Sequence, residues 1–262
     1  MSHPLTRRNL LVAAVVLPLC TATRIWAKPK SETVVAKLAK LEKSLDGRLG
    51  VYAFDTATGA QLHYRADERF PVNSTFKALL GAAILDRSEH EVGFLERRIR
   101  FSNSDLVTHS PVTGEHLADG LTVAQLCAAT IQTSDNTAAN LLMKILGGPS
   151  GVTAYARSIG DHKFRLDRWE TELNTAIPDD LRDTSTPKAM AQSLRRVTVG
   201  HALEAEQRQR LITWLRGSTT GAKRIRAGVP KNWIVGDKTG TGEYGTAHDI
   251  AVLWPPRRRP IV

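Results

Sequence analysis

The chain has 262 residues, of which 24% are charged and 42% are hydrophobic, a balance that excludes a disordered or collagen-like protein. Its two cysteines exclude a disulfide scaffold and a metal site built from four thiolates. The formal net charge of +10 raises nucleic acid and anionic lipid as partners, but net charge bears on association and not on fold.

The first 27 residues predict a secretory signal peptide. Arg7 and Arg8 precede an apolar run of ten residues, 10–19, which is too short to cross a bilayer. Residues 25–27 form an acceptable cleavage site, so we expect a periplasmic or secreted protein. The arginine pair is typical of twin-arginine signals but also occurs in ordinary ones, and the export route therefore stays open.

The rest of the chain predicts an α+β fold. A helical period of apolar residues occupies 33–45, and short apolar runs predict a hairpin within 48–64. Helical patterns dominate 76–215, and strand patterns return at 233–235 and 250–254. We expect an antiparallel sheet built from both ends of the chain and flanked by terminal helices, with an all-α domain inserted.

These patterns divide the chain into predicted parts. The signal peptide, 1–27, is followed by a sheet domain made of 28–65 and 216–262 and by an all-α domain of 66–215. A long polar segment, 165–187, interrupts the helical patterns of the second domain. An irregular segment of this length inside a compact domain usually has a function.

The first polar cluster opens a buried helix. Ser74 and Lys77 lie three residues apart, just before an apolar run, 78–85, that is apolar on every side. The two side chains therefore share a helix face. A serine whose proton can pass to a neighbouring base is an activated nucleophile, although a serine cap beside a surface lysine has the same spacing.

The same spacing occurs a second time, at Ser185 and Lys188. There Pro187 suits the first position of a helix, and the pattern that follows is amphipathic. We interpret this second match as a helix start only.

Three further polar clusters strengthen the first match. They lie between two apolar helices, within the long polar segment and at the predicted end of a strand: Ser134-Asp135-Asn136, 168–174 (with Glu170), and Lys238-Thr239-Gly240. Each alone has a simpler interpretation as surface residues. The four together, in this order, are not plausibly a coincidence.

In these motifs, and from about residue 31 to the last residue, the sequence resembles the class A serine β-lactamases. The resemblance implies hydrolysis of the β-lactam amide bond through a serine acyl-enzyme, with no metal and no cofactor. It implies a monomer whose partner is a small-molecule β-lactam, without nucleic-acid binding or stable membrane insertion. Consistent with this, the eight histidines lack zinc-site spacing, and no aromatic residues interleave with the basic run 257–259.

The resemblance also implies catalytic roles. Ser74 would be the nucleophile, and either Lys77 or Glu170 would be the base that activates it. Ser134 would pass a proton to the departing ring nitrogen. The backbone N–H groups of Ser74 and Thr241 would form the oxyanion hole.

Other residues would bind substrate or support the site. The implied substrate-binding residues are Asn136, Asn174, Arg224, Lys238, Thr239, Gly240 and Thr241. Of these, Asn136 would bind the substrate's side-chain amide, and Asn174 would hold the hydrolytic water together with Glu170. Arg168 and Asp183 match the ion pair that clamps the Glu170 loop.

The C-terminal end departs from the family pattern. Family chains continue after a segment like 260–262 with the rest of a strand and a final helix, and that strand would lie between the first hairpin and 250–254. Without it those strands would lose a pairing partner, so we expect that the last strand and the C-terminal helix are missing from this sequence.

Three alternative functions stay open. A penicillin-binding peptidase or transpeptidase would share the first three motifs, but Glu170 favours a hydrolase because it can activate water for deacylation. A β-lactam sensor domain normally needs membrane-spanning segments, and none is evident in the sequence. An inactive fragment is the third alternative, because of the departure at the C-terminus.

Overall fold

The computed structural model of this protein describes residues 30–262, so the predicted signal peptide lies outside the described residues. The helices of the described part are α1 (Lys30–Lys43), α2 (Lys77–Ser88), α3 (Val123–Gln132), α4 (Asn136–Ile145), α5 (Pro149–Ser158), α6 (Pro187–Thr198) and α7 (Ala205–Arg216). Its strands are β1 (Val51–Phe54), β2 (Gln61–Tyr64), β3 (Phe70–Pro71), β4 (Arg98–Ile99), β5 (Leu121–Thr122), β6 (Thr184–Ser185), β7 (Ile234–Thr241) and β8 (Ala247–Trp254).

Two antiparallel hairpins, one from each end of the chain, are joined by the last three residues. Strand β1 pairs with β2, and β7 pairs with β8. Ile261 forms bridges to both Asp55 and Leu253, and Val262 exchanges backbone hydrogen bonds of 2.7 and 2.9 Å with Phe54. Residues 260–262 thus occupy the place where the sequence predicts a strand between the hairpins. The α+β class and the sheet built from both chain ends are confirmed.

Helix α2 lies at the centre of the hydrophobic core. Every residue from Lys77 to Leu85 is buried, as the apolar run predicts. A Cβ at Gly81 would lie 2.6 Å from Ile131 Cδ1, so α2 and α3 approach closely. Each fully buried aliphatic side chain, such as Leu80, contributes about 1.5–3 kcal/mol to stability. Burial of these side chains therefore fixes the position of the first turns of α2.

The strand that carries the Lys238 motif is longer than its sequence pattern predicts. Pairing between β7 and β8 continues without interruption from Ile234 to Thr241, so Lys238 lies inside β7 and not beyond its end. The sequence pattern predicts that the motif closes a strand ending at Gly236, and this end is wrong because the strand continues through the motif to Thr241. The polar residues of this segment are strand residues because each has a backbone partner in β8, which apolar periodicity cannot reveal.

The second Ser-x-x-Lys segment opens α6, as predicted. Pro187 is at the first helical position, and the side chain of Thr186 accepts a hydrogen bond of 3.1 Å from the backbone N–H of Ala189. The cap residue is thus Thr186, which follows Ser185.

The segment 165–187 is mostly irregular, as predicted, with a short 3₁₀ turn at Glu172–Asn174 and strand β6 near its end. No helix in residues 30–262 has both the length and the hydropathy that a membrane crossing requires.

Candidate active site

The hydroxyl of Ser74 and the amine of Lys77 meet at one carboxylate oxygen. Ser74 lies in the 3₁₀ turn Asn73–Phe76 that leads into α2. Its Oγ donates a hydrogen bond of 3.3 Å to Glu170 Oε1, and Lys77 Nζ lies 3.0 Å from the same oxygen. The two ends of this contact are 96 residues apart along the chain. The fold therefore brings the first cluster and the polar segment together.

Lys77 is fully buried and surrounded by oxygen atoms. Besides Glu170, its Nζ donates to Ser134 O at 2.8 Å and to Asn136 Oδ1 at 2.5 Å. Burial lowers the pKa of Lys77 from its ordinary value, and the charge of Glu170 opposes this shift. A lysine that loses its proton more readily than usual can act as a base beside a hydroxyl.

Ser134 joins two buried lysines in the turn between α3 and α4. Its Oγ accepts hydrogen bonds from Lys238 Nζ at 3.0 Å and from Lys77 Nζ at 3.4 Å. Burial, and then repulsion from Lys77, hold the pKa of Lys238 well below its ordinary value. Asp135 fixes the turn because it caps α4 and accepts a hydrogen bond of 2.9 Å from the backbone N–H of Thr113.

The Glu170 carboxylate is held at both oxygens. Oε1 faces Ser74 and Lys77, and Oε2 accepts a hydrogen bond of 2.5 Å from Asn174 Nδ2. The backbone of Glu170 is fixed by Asn140, whose Oδ1 accepts from Glu170 N at 3.0 Å and whose Nδ2 donates to Glu170 O at 2.8 Å. Neither end of Glu170 can therefore shift without breaking hydrogen bonds.

A buried ion pair closes the loop that carries Glu170. Arg168 Nε lies 2.6 Å from Asp183 Oδ2, and the Asp183 side chain is 1% exposed. Asp183 Oδ1 also accepts from the backbone N–H groups of Asp167 at 2.7 Å and Arg168 at 3.0 Å. The two ends of the segment 165–187 are thus tied together, as the sequence resemblance implies.

The backbone of β7 runs directly past the serine. A Cβ at Gly240 would lie 3.2 Å from Ser74 N and 3.1 Å from Asn73 Cβ, so a side chain at this position would push the strand away. The following residue, Thr241, is consequently next to the Ser74 turn. Asn73 has a φ of +41° and donates from Nδ2 to Thr246 Oγ1 at 2.9 Å, which ties the turn to the end of the hairpin.

Hydroxyl and cationic groups continue along β7. Thr239 Oγ1 is 2.6 Å from Thr220 Oγ1, and Arg224 Nη2 donates to Thr241 Oγ1 at 3.2 Å. Together with Lys238 they form a surface that favours an anion.

The structure brings the sequence-predicted site residues into one region, and it adds two details that the sequence does not give. The resemblance implies that Asn136 binds the substrate amide, and in the structure its Oδ1 accepts from Lys77 while its Nδ2 donates to Thr108 O at 2.8 Å. Asn140 is missed by the sequence analysis, although an asparagine one turn after Asn136 in an otherwise apolar stretch is a usable signal.

This arrangement is suited to acyl transfer. It combines a hydroxyl, an amine and a carboxylate in contact with one another at a buried position, which are groups that can attack a carbonyl and transfer the proton. No group of three or more His, Cys, Asp or Glu side chains within 30–262 is arranged to hold a metal ion.

Comparison with known sequences gives consistent results. The profile of the Beta-lactamase enzyme family matches residues 33–262. The chain is 54% identical to the Carbapenem-hydrolyzing beta-lactamase KPC of Klebsiella oxytoca, covering 98% of this chain and 87% of that protein. It is 51% identical to Beta-lactamase CTX-M-8 of Citrobacter amalonaticus, covering 100% and 89%.

Solved structures agree with the sequence comparison. A beta-lactamase from Desulfarculus baarsii superposes with a TM-score of 0.87 at 56% identity and covers 88% of this chain and 86% of that chain. The last common ancestor of Gram-negative bacteria beta-lactamase class A superposes with a TM-score of 0.86 at 58% identity, with 87% of both chains covered.

Proposed function

Because this chain belongs to the Beta-lactamase enzyme family, as a class A enzyme that hydrolyses β-lactams and so gives antibiotic resistance, we propose that the residues around Ser74 carry out that reaction. The observation that carries the proposal is the shared oxygen of Glu170, which contacts both the Ser74 hydroxyl and the Lys77 amine in a buried site.

In the acylation step, Ser74 Oγ attacks the β-lactam carbonyl carbon and loses its proton. The hydrogen bond from Ser74 to Glu170 supports Glu170 as the acceptor of that proton. The lowered pKa of Lys77 supports the amine as the alternative acceptor, and both are within reach. The backbone N–H groups of Ser74 and Thr241 would stabilise the oxyanion.

Collapse of the tetrahedral intermediate breaks the ring C–N bond, and the nitrogen must leave with a proton. Ser134 would donate it, and the hydrogen bonds of its hydroxyl with two lysines support this role. Lys77 or Lys238 can then return a proton to Ser134. The ring opens, and the substrate stays attached to Ser74 as an ester.

In the deacylation step, Glu170 would deprotonate a water molecule that attacks the ester carbonyl carbon. The bond from that carbon to Ser74 Oγ would then break, with the proton passing to Oγ and the ring-opened acid released. Asn174, bonded to the carboxylate at 2.5 Å, would orient both the carboxylate and the water. The Arg168–Asp183 pair keeps the loop in place during both steps. A penicillin-binding peptidase would lack the glutamate that performs this hydrolysis, and the membership in class A favours the hydrolase over that alternative and over a sensor domain.

The substrate would be held on both sides of the reacting bond. Lys238, Thr239, Thr241 and Arg224 would bind its carboxylate, with Gly240 allowing the close approach of β7, and Asn136 would bind its side-chain amide. We propose penicillins and cephalosporins as substrates. In having both Arg224 and Thr241, the chain resembles members of the family that hydrolyse cephalosporins well, which supports the second class.

The proposal also covers the location of the enzyme, its oligomeric state and its division into domains. We propose that residues 1–27 direct export to the periplasm or the medium, with the twin-arginine route open, and that the enzyme acts as a monomer. The sheet domain of 28–65 and 216–262 and the all-α domain of 66–215 would then form the two sides of the site. The contact of Lys238 on β7 with Ser134 between α3 and α4 supports this division.

The proposal is tested with Glu170→Gln. This variant keeps the side-chain shape but removes the base, so the acyl-enzyme should form and then persist, with turnover lowered by at least about 10²-fold. Mass spectrometry of the protein during turnover of a chromogenic cephalosporin detects the added mass on Ser74. The matched control is Glu172→Gln, an exposed glutamate two residues away, which should turn over normally. Near-normal turnover by Glu170→Gln would refute the role.

A further inference from the structure

Two acids lie on the same face of the β7–β8 hairpin as Thr239 and Thr241, with Asp237 fully buried and Asp249 partly buried. In the β7–β8 register Asp249 is directly opposite Thr239, and Asp237 precedes Thr239 by two residues. Side chains alternate between the faces of a strand, so all of these point to one side of the hairpin. That side is covered by the segment 218–226, which contacts both acids.

Asp237 is a carboxylate with close partners. It is fully buried, forms an ion pair with Arg226 and accepts a hydrogen bond of 3.2 Å from Ser218 Oγ. A Cβ at Gly221 would lie 1.8 Å from Asp237 Oδ2, so the backbone of the covering segment lies directly on this group. The guanidinium of Arg226 is thus paired with Asp237 and not with Asp249.

Asp249 has no comparable partner. Its Oδ2 accepts one hydrogen bond of 3.0 Å, from the backbone N–H of Ile225. Its Oδ1 is buried and has no hydrogen-bond donor within the described part of the chain. Arg224, which lies on the covering segment, donates to Thr241 and not to Asp249.

A partly buried carboxylate with one enclosed oxygen and a single backbone donor, beside a second carboxylate, favours its neutral form. Burial, and then the charge of Asp237, raise the pKa of Asp249 from 3.8 to about 7. The groups that oppose this shift are the N–H of Ile225, the guanidinium of Arg224 and, from β7, the amine of Lys238.

We propose that Asp249 is a carboxylic acid below neutral pH, and that this neutral state keeps the neighbouring anion-binding surface of Lys238, Thr239, Thr241 and Arg224 attractive to the substrate carboxylate. Ionisation would place a negative charge on Asp249, beside the carboxyl group of Asp237 and on the strand face that carries Thr239 and Thr241. Asp249 is thus a positioning residue that acts through the charge of the binding surface, without contact to the reacting atoms. The inference rests on the proposed function, because it assumes that this surface binds the substrate.

The test measures KM and kcat against pH for a cephalosporin that carries a carboxylate and for its methyl ester. In the wild-type enzyme KM for the carboxylate should rise roughly tenfold between about pH 6 and about pH 8, because the new charge repels the anion. The ester should show no such rise. In Asp249→Asn, KM for the carboxylate should stay level while kcat follows the wild-type profile.

The matched control is Asp119→Asn, which removes the same formal charge at an exposed position and should keep the wild-type rise. A rise in KM that persists in Asp249→Asn would overturn the inference and assign the effect to Lys238, whose deprotonation also weakens anion binding. A level KM in the wild-type enzyme would overturn it as well. Absence of hydrolysis by the wild-type enzyme at every pH would instead overturn the proposed function.

Thermal unfolding gives a second readout that needs no substrate. The folded protein retains a proton on Asp249 that the unfolded chain releases, so the raised pKa makes stability fall as pH increases from 3.8 through about 7. Between about pH 5 and about pH 8 the wild-type Tm should therefore decrease relative to that of Asp249→Asn. Asp249→Ala is the second variant if the asparagine enzyme does not fold. A Tm difference that stays constant over this range in either variant would contradict the inference.

Discussion

Two segments of this protein share the spacing Ser-x-x-Lys and differ in everything around it. At Ser74 and Lys77 the lysine is fully buried and lies 3.0 Å from the buried carboxylate of Glu170. At Ser185 and Lys188 the lysine side chain is 35% exposed and lies 3.3 Å from Asp67, whose side chain is 73% exposed. The first serine lies in the candidate active site, at the turn that leads into α2, and the second lies in strand β6, just before α6.

The comparison shows that the Ser-x-x-Lys spacing only brings the serine and lysine side chains close to each other. A buried amine has a lowered pKa and keeps its partners in fixed positions, whereas an exposed amine is solvated and its ion pair contributes little. Reactivity follows from enclosure by elements that are distant in sequence.

The largest expected difference between the two segments is in kcat/KM when each lysine is replaced in turn. Lys77→Ala removes a candidate base and the contacts to Ser134 and Glu170, so kcat/KM should fall by about 10²–10⁴-fold. Lys188→Ala should leave kcat/KM unchanged. Steady-state hydrolysis of a chromogenic cephalosporin measures both, with circular dichroism to verify that each variant is folded. Equal losses in the two variants would mean that burial of Lys77 is not what matters.

A smaller effect, on stability, is expected when a buried ion pair of the Glu170 loop is compared with an exposed one. Arg168→Met leaves Asp183 buried with only its backbone donors, and the free energy of unfolding should fall by roughly 2–3 kcal/mol. The control is Arg182→Met, which breaks the exposed contact of Arg182 with Asp180 and should not change stability.

Urea denaturation measures both loop variants, and turnover should fall only in Arg168→Met because the position of Glu170 depends on the clamp. If the two variants unfold at the same urea concentration, the buried pair is not a clamp.

The smallest expected effect tests whether the segment with Ser185 and Lys188 serves only to start helix α6. Thr186→Ala removes the side chain that caps α6 and should cost about 1 kcal/mol of stability with no change in turnover. Thr186→Ser keeps the capping oxygen and serves as the control. The shift in Tm of each variant gives the answer, and a loss of turnover in Thr186→Ala at full stability would point to a role beyond capping.

Most of the site could be predicted from the sequence because its residue types are chemically specific and their order resembles that of a known family. Two elements could not. The polar strand β7 extends to Thr241 although its residues lack apolar alternation, because backbone pairing with β8 does not depend on side-chain type. Asn140 fixes the backbone of a residue 30 positions away, a contact that no local pattern can signal.

The sequence by itself determined where an enclosed helix begins and which side chains could do chemistry there, since an apolar run on all sides leaves such a helix no exposed face. Only the tertiary structure decided that Ser74 and Lys77 contact one oxygen of Glu170 and that Asp249 lies opposite Thr239 with a single backbone donor among the described residues. The physical reason is that local patterns depend on neighbours a few residues apart. The protonation and contacts of a buried charge depend instead on groups that packing brings from distant parts of the chain.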